Sequence, residues 1–435
     1  MTTMKKTIYL DIETNMAHNV IWCCGVQDAQ GSTMFTDNIG LQEVIDNADE
    51  VVGHNIIGFD APVLEQVWGV KIPANKQTDT LVLSRLAKAD ERRHSLEVWG
   101  EKLMFPKIDF HDYDGGLTED MKEYCEQDVS LTVKVHEILL RDLEKFSTRS
   151  IKLEHDVAFI LKQQEVNGFR LDIEKCNDLF LVVSSEMVKI TERLQLVFPP
   201  KCTPRLSTKQ TQEFMGKTIP KFNKPKIQPF NVGSRQQIAE RLALHGVKLT
   251  EKTEKGRLII NEKVLAKLST PETKLINRYL MLQKRAAQTE SWLKAVSRDG
   301  RVHGRVITNG AITGRMTHMS PNMAQVPAVH VPFGRECRGC WTVDEGNVLV
   351  GADASGLELR MLAHYMDDDE YTNEVLSGDI HTANQKAAGL PTRDSAKTFI
   401  YAFLYGAGAG KIGEIVGGSY KKGTELIDKF LENTP

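Results

Sequence analysis

The chain has 435 residues, enough for two or three domains, with 26% charged and 41% hydrophobic residues, the balance of a soluble globular protein. No apolar run is long enough to span a bilayer, and residues 1–6 lead into a strand without a signal peptide, which points away from membrane and secreted proteins. Seven cysteines without metal-ligand spacing suit reduced thiols in a cytoplasm, and a net charge of −3 leaves nucleic-acid binding to local charge distribution.

Ile8-Tyr9-Leu10 reads as a β-strand that runs into Asp11-Ile12-Glu13-Thr14. Residues two apart in a strand face one side, so Asp11 and Glu13 point together. Two like charges so placed repel unless a cation sits between them, and a bound metal ion is the economical explanation. Cys23-Cys24 falls in another apolar strand-like run and reads as two buried thiols. Val51-Val52-Gly53-His54-Asn55-Ile56-Ile57-Gly58-Phe59-Asp60 reads as a strand, a glycine-containing turn and an acid opening a helix over 61–68. Asp79 reads as a helix cap, and Asp109, Asp112 and Asp114, among turn residues, receive no chemistry. Tyr124 and Asp128 share a face, at i and i+4, of a long helix predicted to run from Tyr124 to about Phe146.

Apolar residues recur at helical spacing over 151–197, interrupted by Asn167-Gly168, a turn signal. Pro199-Pro200 opens a stretch that reads as a loop. It carries Lys201, Arg205, Lys209, Lys217, Lys221, Lys224 and Lys226 against one acid, Glu213, a density able to neutralise phosphates. Helices are predicted over 236–244 and, carrying Lys284-Arg285, over 274–296. A turn-rich basic segment, 304–327, contains Thr313-Gly314-Arg315, Pro321-Asn322 and Gln325. Asn347-Val348-Leu349-Val350-Gly351-Ala352-Asp353 reads as an apolar strand with an acid at its end, and Ala354-Ser355-Gly356 turns it into a helix bearing Glu358. After Asp379-Ile380-His381, residues 392–406 read as a helix capped by Thr392 and ended by Gly406 and Gly408. Arg393, Lys397 and Tyr401 share one face, while Ala396, Ile400 and Phe403 line another. Two cations followed by an aromatic ring can hold a triphosphate and stack a base.

In this order the motifs resemble family A DNA polymerases, the DNA polymerase I class, and look most like the replicative polymerases of short-tailed bacteriophages. Asp-x-Glu, Asn-x3-Phe-Asp and Tyr-x3-Asp resemble the 3′–5′ proofreading exonucleases with four acids and a tyrosine, on a ribonuclease H-like α/β fold. That resemblance implies hydrolysis with Asp11, Glu13, Asp60 and Asp128 holding two Mg²⁺ ions, replaceable by Mn²⁺, about 4 Å apart. Tyr124 would orient the attacking water. In the polymerase half it implies Asp353 and the Ala354 carbonyl as metal ligands, and Glu358 closing against Tyr401 where a 2′-OH would lie. His381 would reach the triphosphate, Arg393 and Lys397 would grip it, Tyr401 would pack on sugar and base, and Tyr405 would border the template base. Lys284, Arg285, Arg315 and Gln325 would touch primer–template DNA.

The implied organisation is an exonuclease domain over 1–148, a mainly helical thumb over 149–302, a partial α+β palm over 303–357 and incomplete fingers over 358–435. The interval 203–228 is too short for the thumb insertion by which phage relatives bind host thioredoxin, so thioredoxin is not expected as a partner. Location in the cytoplasm of an infected bacterium follows from the same resemblance. Two-metal phosphoryl transfer also needs a second palm carboxylate, which the family carries in a His-Asp-Glu hairpin. His111-Asp112-Tyr113 and Val343-Asp344-Glu345 both precede Asp353 and lie in the wrong context for it. The expectation is the N-terminal part of a split polymerase that degrades DNA alone and needs a second chain for synthesis. The alternatives are a stand-alone exonuclease with a polymerase remnant, and a noncatalytic DNA-binding clamp.

Overall fold

Strand β1 (Thr7–Thr14) alternates along its length: Ile8, Leu10 and Ile12 are buried in one core, while Tyr9, Asp11 and Glu13 face the other side. It lies inside a five-stranded sheet with β2 (Ile21–Asp28), β3 (Gly31–Phe35), β4 (Glu50–Gly53) and β5 (Gln77–Asp79), in the order β3-β2-β1-β4-β5. The β1–β2 and β2–β3 pairs are antiparallel, and β1–β4 and β4–β5 are parallel. Helices α1 (Leu41–Asp46) and α2 (Asp60–Trp68) bury Leu41, Ile45 and Leu64 with Ile8, Leu10 and Ile12. Helices α3 (Thr80–Ala87) and α4 (Leu96–Lys102) precede α5 (Glu119–Asp142), which packs on β1 and β2. A Cβ at Gly25 would stand 3.0 Å from Cys125 Sγ and 3.1 Å from Val129 Cγ2, so the missing side chain lets α5 approach β2 closely. The long helix starts earlier than Tyr124 because Thr118 caps it by accepting from the Met121 amide at 3.1 Å, and it ends at Asp142 rather than near Phe146.

This computed structural model describes residues 5–253 and 256–433, without the side chains at 207–209, 214, 222 and 433, so Lys209 of the basic run lies outside the described side chains. The chain divides into two compact units, Met1–Asn347 and Val348–Pro435.

After α6 (Thr148–Asn167) the chain turns at Gly168 into β6 (Phe169–Leu171) and α7 (Ile173–Val197). The segment expected as a loop is instead an antiparallel hairpin of β7 (Lys201–Phe214) and β8 (Lys217–Gln228), turned at Met215 and Gly216 with φ of 50° and 72°. Two positive φ values suit a two-residue hairpin turn. Its sequence hid it, because Pro204, Pro220 and Pro225 and a mostly polar run break the usual strand signature. Then follow α8 (Arg235–Leu244), α9 (Glu262–Ala266), α10 (Pro271–Ala295), β9 (Arg301–Val302), β10 (Arg305–Ile307), β11 (Thr317–Met319), α11 (Gly334–Gly339) and β12 (Trp341–Thr342). α7 and α10 join through Leu179, Val183, Ile190, Ile276, Leu280 and Trp292, and Arg278 donates twice to Glu186 at 2.7 and 2.9 Å.

The second unit is helical: α12 (Leu357–Met366), α13 (Asp369–Ser377), α14 (Ile380–Ala388), α15 (Arg393–Leu404), α16 (Ala409–Ile415) and α17 (Tyr420–Asn433). Leu359, Ala396, Phe399, Ile400, Ile412 and Phe430 form its core. The strand expected over 347–353 is not formed; the chain is irregular there, with Val348 81% and Val350 82% exposed. A β-prone run becomes a strand only beside a neighbour that completes its hydrogen-bond ladder, and among the described residues none pairs with it. No helix among the described residues is long and apolar enough to cross a membrane.

Candidate functional site

Three elements bring the sequence-derived acids to one place. β1 supplies Asp11 and Glu13, the start of α2 supplies Asp60, and α5 supplies Tyr124 and Asp128. All five line one cavity of about 1070 Å³. Asp60 is fixed by accepting from the Ile12 amide at 3.2 Å, which ties α2 to β1. Asp79 is a cap, as read from sequence, and also a clamp: it accepts from the Leu81 amide at 2.9 Å, from Asn55 at 2.9 Å and from Ile57 at 3.2 Å. That holds the turn before Asp60, where Asn55 sits at φ 68°.

Burial governs the electrostatics, with the crowding of like charges second. Burial, then the charges of Asp60, Asp128 and Glu13, pushes the Asp11 carboxyl well above its ordinary range. Burial, then Asp128, raises Glu13 to about 8. Burial raises Asp60 to about 7 against hydrogen bonds from its own backbone and Ile12. Burial also raises Asp128, and the Lys107 ammonium opposes it. Lys107 Nζ lies 2.5 Å from Asp128 Oδ2 and 4.6 Å from the centroid of the Tyr124 ring. Asp128 Oδ1 is buried without a hydrogen-bond partner among the described residues. Burial is the main reason the Tyr124 phenol holds its proton far above the usual range, and Tyr113 donates to its oxygen at 3.4 Å.

Four carboxylates converge with Lys107 paired to one of them, one Asp128 oxygen has no hydrogen-bond partner among the described residues, and such hard oxygen donors match divalent Mg²⁺ or Mn²⁺. Asp11, Glu13 and Cys125 offer ligand atoms within 4.8 Å of one another. The Cys125 thiol stays protonated and donates to the Asp11 carbonyl at 3.6 Å, so the carboxylates are the fitting donors. Sequence reasoning missed Lys107, Arg85 and Arg305, which also line the cavity. None belongs to a spacing motif; each arrives from a loop or an element distant in the chain.

In the second unit, Arg393 Nε donates to Asp379 Oδ1 at 3.1 Å and Oδ2 at 2.8 Å, and that bond holds the Asp379 carboxyl well below the usual carboxylate range. The His381 ring stands 6.2 Å from that of Tyr401, and burial, then Arg393 and Lys397, lowers the His381 pKa. His381, Arg393, Lys397 and Tyr401 therefore form one cluster across α14 and α15. Thr392 caps α15 by accepting from the Ser395 amide at 3.1 Å. Glu358 accepts at 2.7 Å from Oη of Tyr405, the second tyrosine of the helix segment. Burial, then the Glu358 charge, raises the Tyr401 phenol. Asp353 and Ala354 lie in the exposed irregular run, and among the described residues no hydrogen bond or ion pair joins Asp353 to the cluster.

A family model described as DNA polymerase family A matches residues 205–435. The chain is 35% identical to the DNA-directed DNA polymerase of Enterobacteria phage T3, over 91% of this chain and 73% of that one. It is 34% identical to the DNA-directed DNA polymerase of Escherichia phage T7, over 88% and 72%. The chain belongs to DNA polymerase family A. The polymerase is also 28% identical to the thermostable DNA polymerase I of Thermus aquaticus, over 65% of this chain and 32% of that one. Among solved structures it matches the POL domain of Pol1 from M. smegmatis, in complex with DNA primer-template and dNTP, at a TM-score of 0.74 and 17% identity, covering 99% and 73%. At that identity the likeness is one of fold.

Elsewhere in the polymerase, Lys284 Nζ lies 2.7 Å from Glu262 Oε1, and Arg285 Nε donates to the Pro332 carbonyl at 3.4 Å. The Arg315 carbonyl accepts from the Ala311 amide at 3.1 Å, and the Gln325 carbonyl accepts from Gln288 Nε2 at 2.8 Å.

Proposed function

We propose that this chain takes part in template-directed DNA synthesis from deoxynucleoside triphosphates and proofreads with a 3′–5′ exonuclease in its first 148 residues. The observation carrying the nuclease reading is the convergence of Asp11, Glu13, Asp60, Tyr124 and Asp128 on one cavity. The β3-β2-β1-β4-β5 sheet, antiparallel then parallel, supports a ribonuclease H-like fold. Two Mg²⁺ ions held by the four carboxylates would activate the attacking water and stabilise the leaving 3′ oxygen. Tyr124, its phenol protonated, positions that water by hydrogen bonding. Arg85 and Arg305 on the cavity wall bind the phosphate of the strand end.

In the second unit Arg393, Lys397 and His381 bind the triphosphate, and Tyr401 packs on the sugar and base. Asp379 holds Arg393 until a phosphate takes its place. Glu358, bonded to Tyr405, stands beside Tyr401 and disfavours a 2′-OH. Asp353 and the Ala354 carbonyl are the palm ligands. The exposed 348–350 run supports the idea that this strand forms only beside further palm strands, on the same polypeptide or another, carrying the second carboxylate.

The test assays the chain on single-stranded DNA and on a primer–template, with and without a palm segment bearing the His-Asp-Glu motif. Expected are Mg²⁺-dependent 3′-end degradation by the chain alone, lost in Asp11→Ala, and primer extension when the palm segment is present. Degradation with no extension under any condition would favour the stand-alone exonuclease, a reading that the exposed setting of Asp353 supports.

A further inference from the structure

Asp60 owes its place to the turn before it, and that turn is held from outside. The Asp79 carboxylate accepts from the Asn55 and Ile57 amides at 2.9 and 3.2 Å. The next residue, Thr80, donates from its hydroxyl to the Gly53 carbonyl at 3.2 Å. Residues 79 and 80 thus frame residues 53–57, just ahead of Asp60. What fixes residue 79 is a side chain from another helix. The Asp79 amide donates to Nε2 of His155, on α6, at 3.0 Å, and His155 Nδ1 lies 2.9 Å from the Ile151 carbonyl.

These partners decide the state of the ring. A backbone amide only donates and a carbonyl only accepts, so Nδ1 carries the proton and Nε2 offers its lone pair. His155 and Asp79 are 8% and 2% exposed, and an amide buried there without an acceptor is costly. A cavity of about 530 Å³, walled by Leu83, Leu143, Ile151 and Phe159, lies beside the imidazole. Its two hydrogen bonds, rather than close packing on every side, therefore hold the ring. An apolar side chain of the same volume would leave the Asp79 amide unpaired.

We propose that His155 is a positioning residue for the acid pocket, setting Asp60 through the Asp79 clamp from outside the first 148 residues. The inference rests on the nuclease reading of that pocket. Groups one hydrogen bond behind metal ligands change metal affinity or activity by about ten- to a hundredfold. The path from His155 to Asp60 is longer, running through the Asp79 backbone, its carboxylate and the turn, so the lower end of that range applies.

In the full chain, His155→Asn and His155→Gln separate the two bonds. The Asn amide stands where Nδ1 stood and falls short of Asp79, whereas the Gln oxygen stands where Nε2 stood. Two quantities are measured: the Mg²⁺ half-saturation and KM of single-strand hydrolysis, and amide hydrogen exchange over residues 53–61 in EDTA. In His155→Asn exchange there should quicken about tenfold while α5 stays protected, and Mg²⁺ half-saturation should rise about tenfold with the oligonucleotide KM unchanged. His155→Gln should stay within about threefold of the parent on every count. Asp79→Asn should quicken the same exchange, and adding His155→Asn to it should cost no more than about twofold further, since both break one chain of contacts. Exchange needs no catalysis, so a parent without hydrolysis would sink the nuclease reading and leave exchange to judge His155. If His155→Asn loses α5 protection, His155→Met makes the comparison with Gln, filling the volume without an acceptor. Parent-like exchange in the Asn or Met variant, equal losses with Gln, or additive losses with Asp79→Asn would overturn the proposal.

Discussion

In the acid pocket Glu13, Asp60 and Asp128 are 6%, 2% and 3% exposed, whereas the Arg393 and Asp379 side chains of the second unit are 51% and 47% exposed. Folding of the first unit buries these acids beside one another, and their proton affinities rise, through lost solvation first and like charge second. In the second unit opposite charges meet in water, where such a pair contributes little to stability. One cluster thus gathers buried acids, while the other is an exposed pair of opposite charges.

The strongest way to break that contrast is to remove a pocket carboxylate. Asp128→Asn keeps the shape of the site and should lower 3′-end hydrolysis by about a thousandfold or more, with deoxynucleotide binding unchanged. Next, Arg393→Ala with Lys397→Ala should weaken triphosphate binding by about a hundredfold, measured by nucleotide titration, and leave hydrolysis intact.

Proton linkage gives a smaller signal with a definite sign. Glu13 and Asp60 have raised folded-state pKa values, about 8 and about 7. Their contribution to stability is therefore fully present below the ordinary carboxylate range and lost as pH rises through those values. In EDTA the first unit should melt progressively lower from about pH 5 to about pH 9. Mg²⁺ replaces the lost protons, so its stabilising effect should widen with pH, by on the order of 5 °C. A flat melting curve in EDTA would show that folding does not raise the proton affinity of these acids. Smallest of all, Tyr405→Phe removes one exposed hydrogen bond to Glu358 and should change the stability of the second unit by under about 1 kcal/mol in denaturant titration.

Local periodicity made much of this readable in advance. Asp11 and Glu13 could be placed together by strand alternation, Tyr124 and Asp128 by one helical turn, and the α15 face by its four-residue step. Thr392 announced its helix because a cap is a local device. What escaped depends on partners. Lys107 reaches Asp128 from a loop, and Asp379 meets Arg393 across two helices. The 347–353 run has strand composition but no neighbour, while the 201–228 run lacks strand composition and pairs with itself. Side-chain pattern reports what a segment prefers; hydrogen-bond partners decide what it becomes.

One wall of the acid pocket comes from Arg305, Ile307, Asn309, Ile312 and Thr317, on and between β10 and β11, although every acid in it lies before residue 129. The acid pocket is therefore not walled by the first 148 residues alone. A fragment cut after residue 148 would keep every acid of the pocket and lose the wall that residues 305–317 supply. Two stretches far apart in the chain thus build one cavity, and a change in either reshapes it.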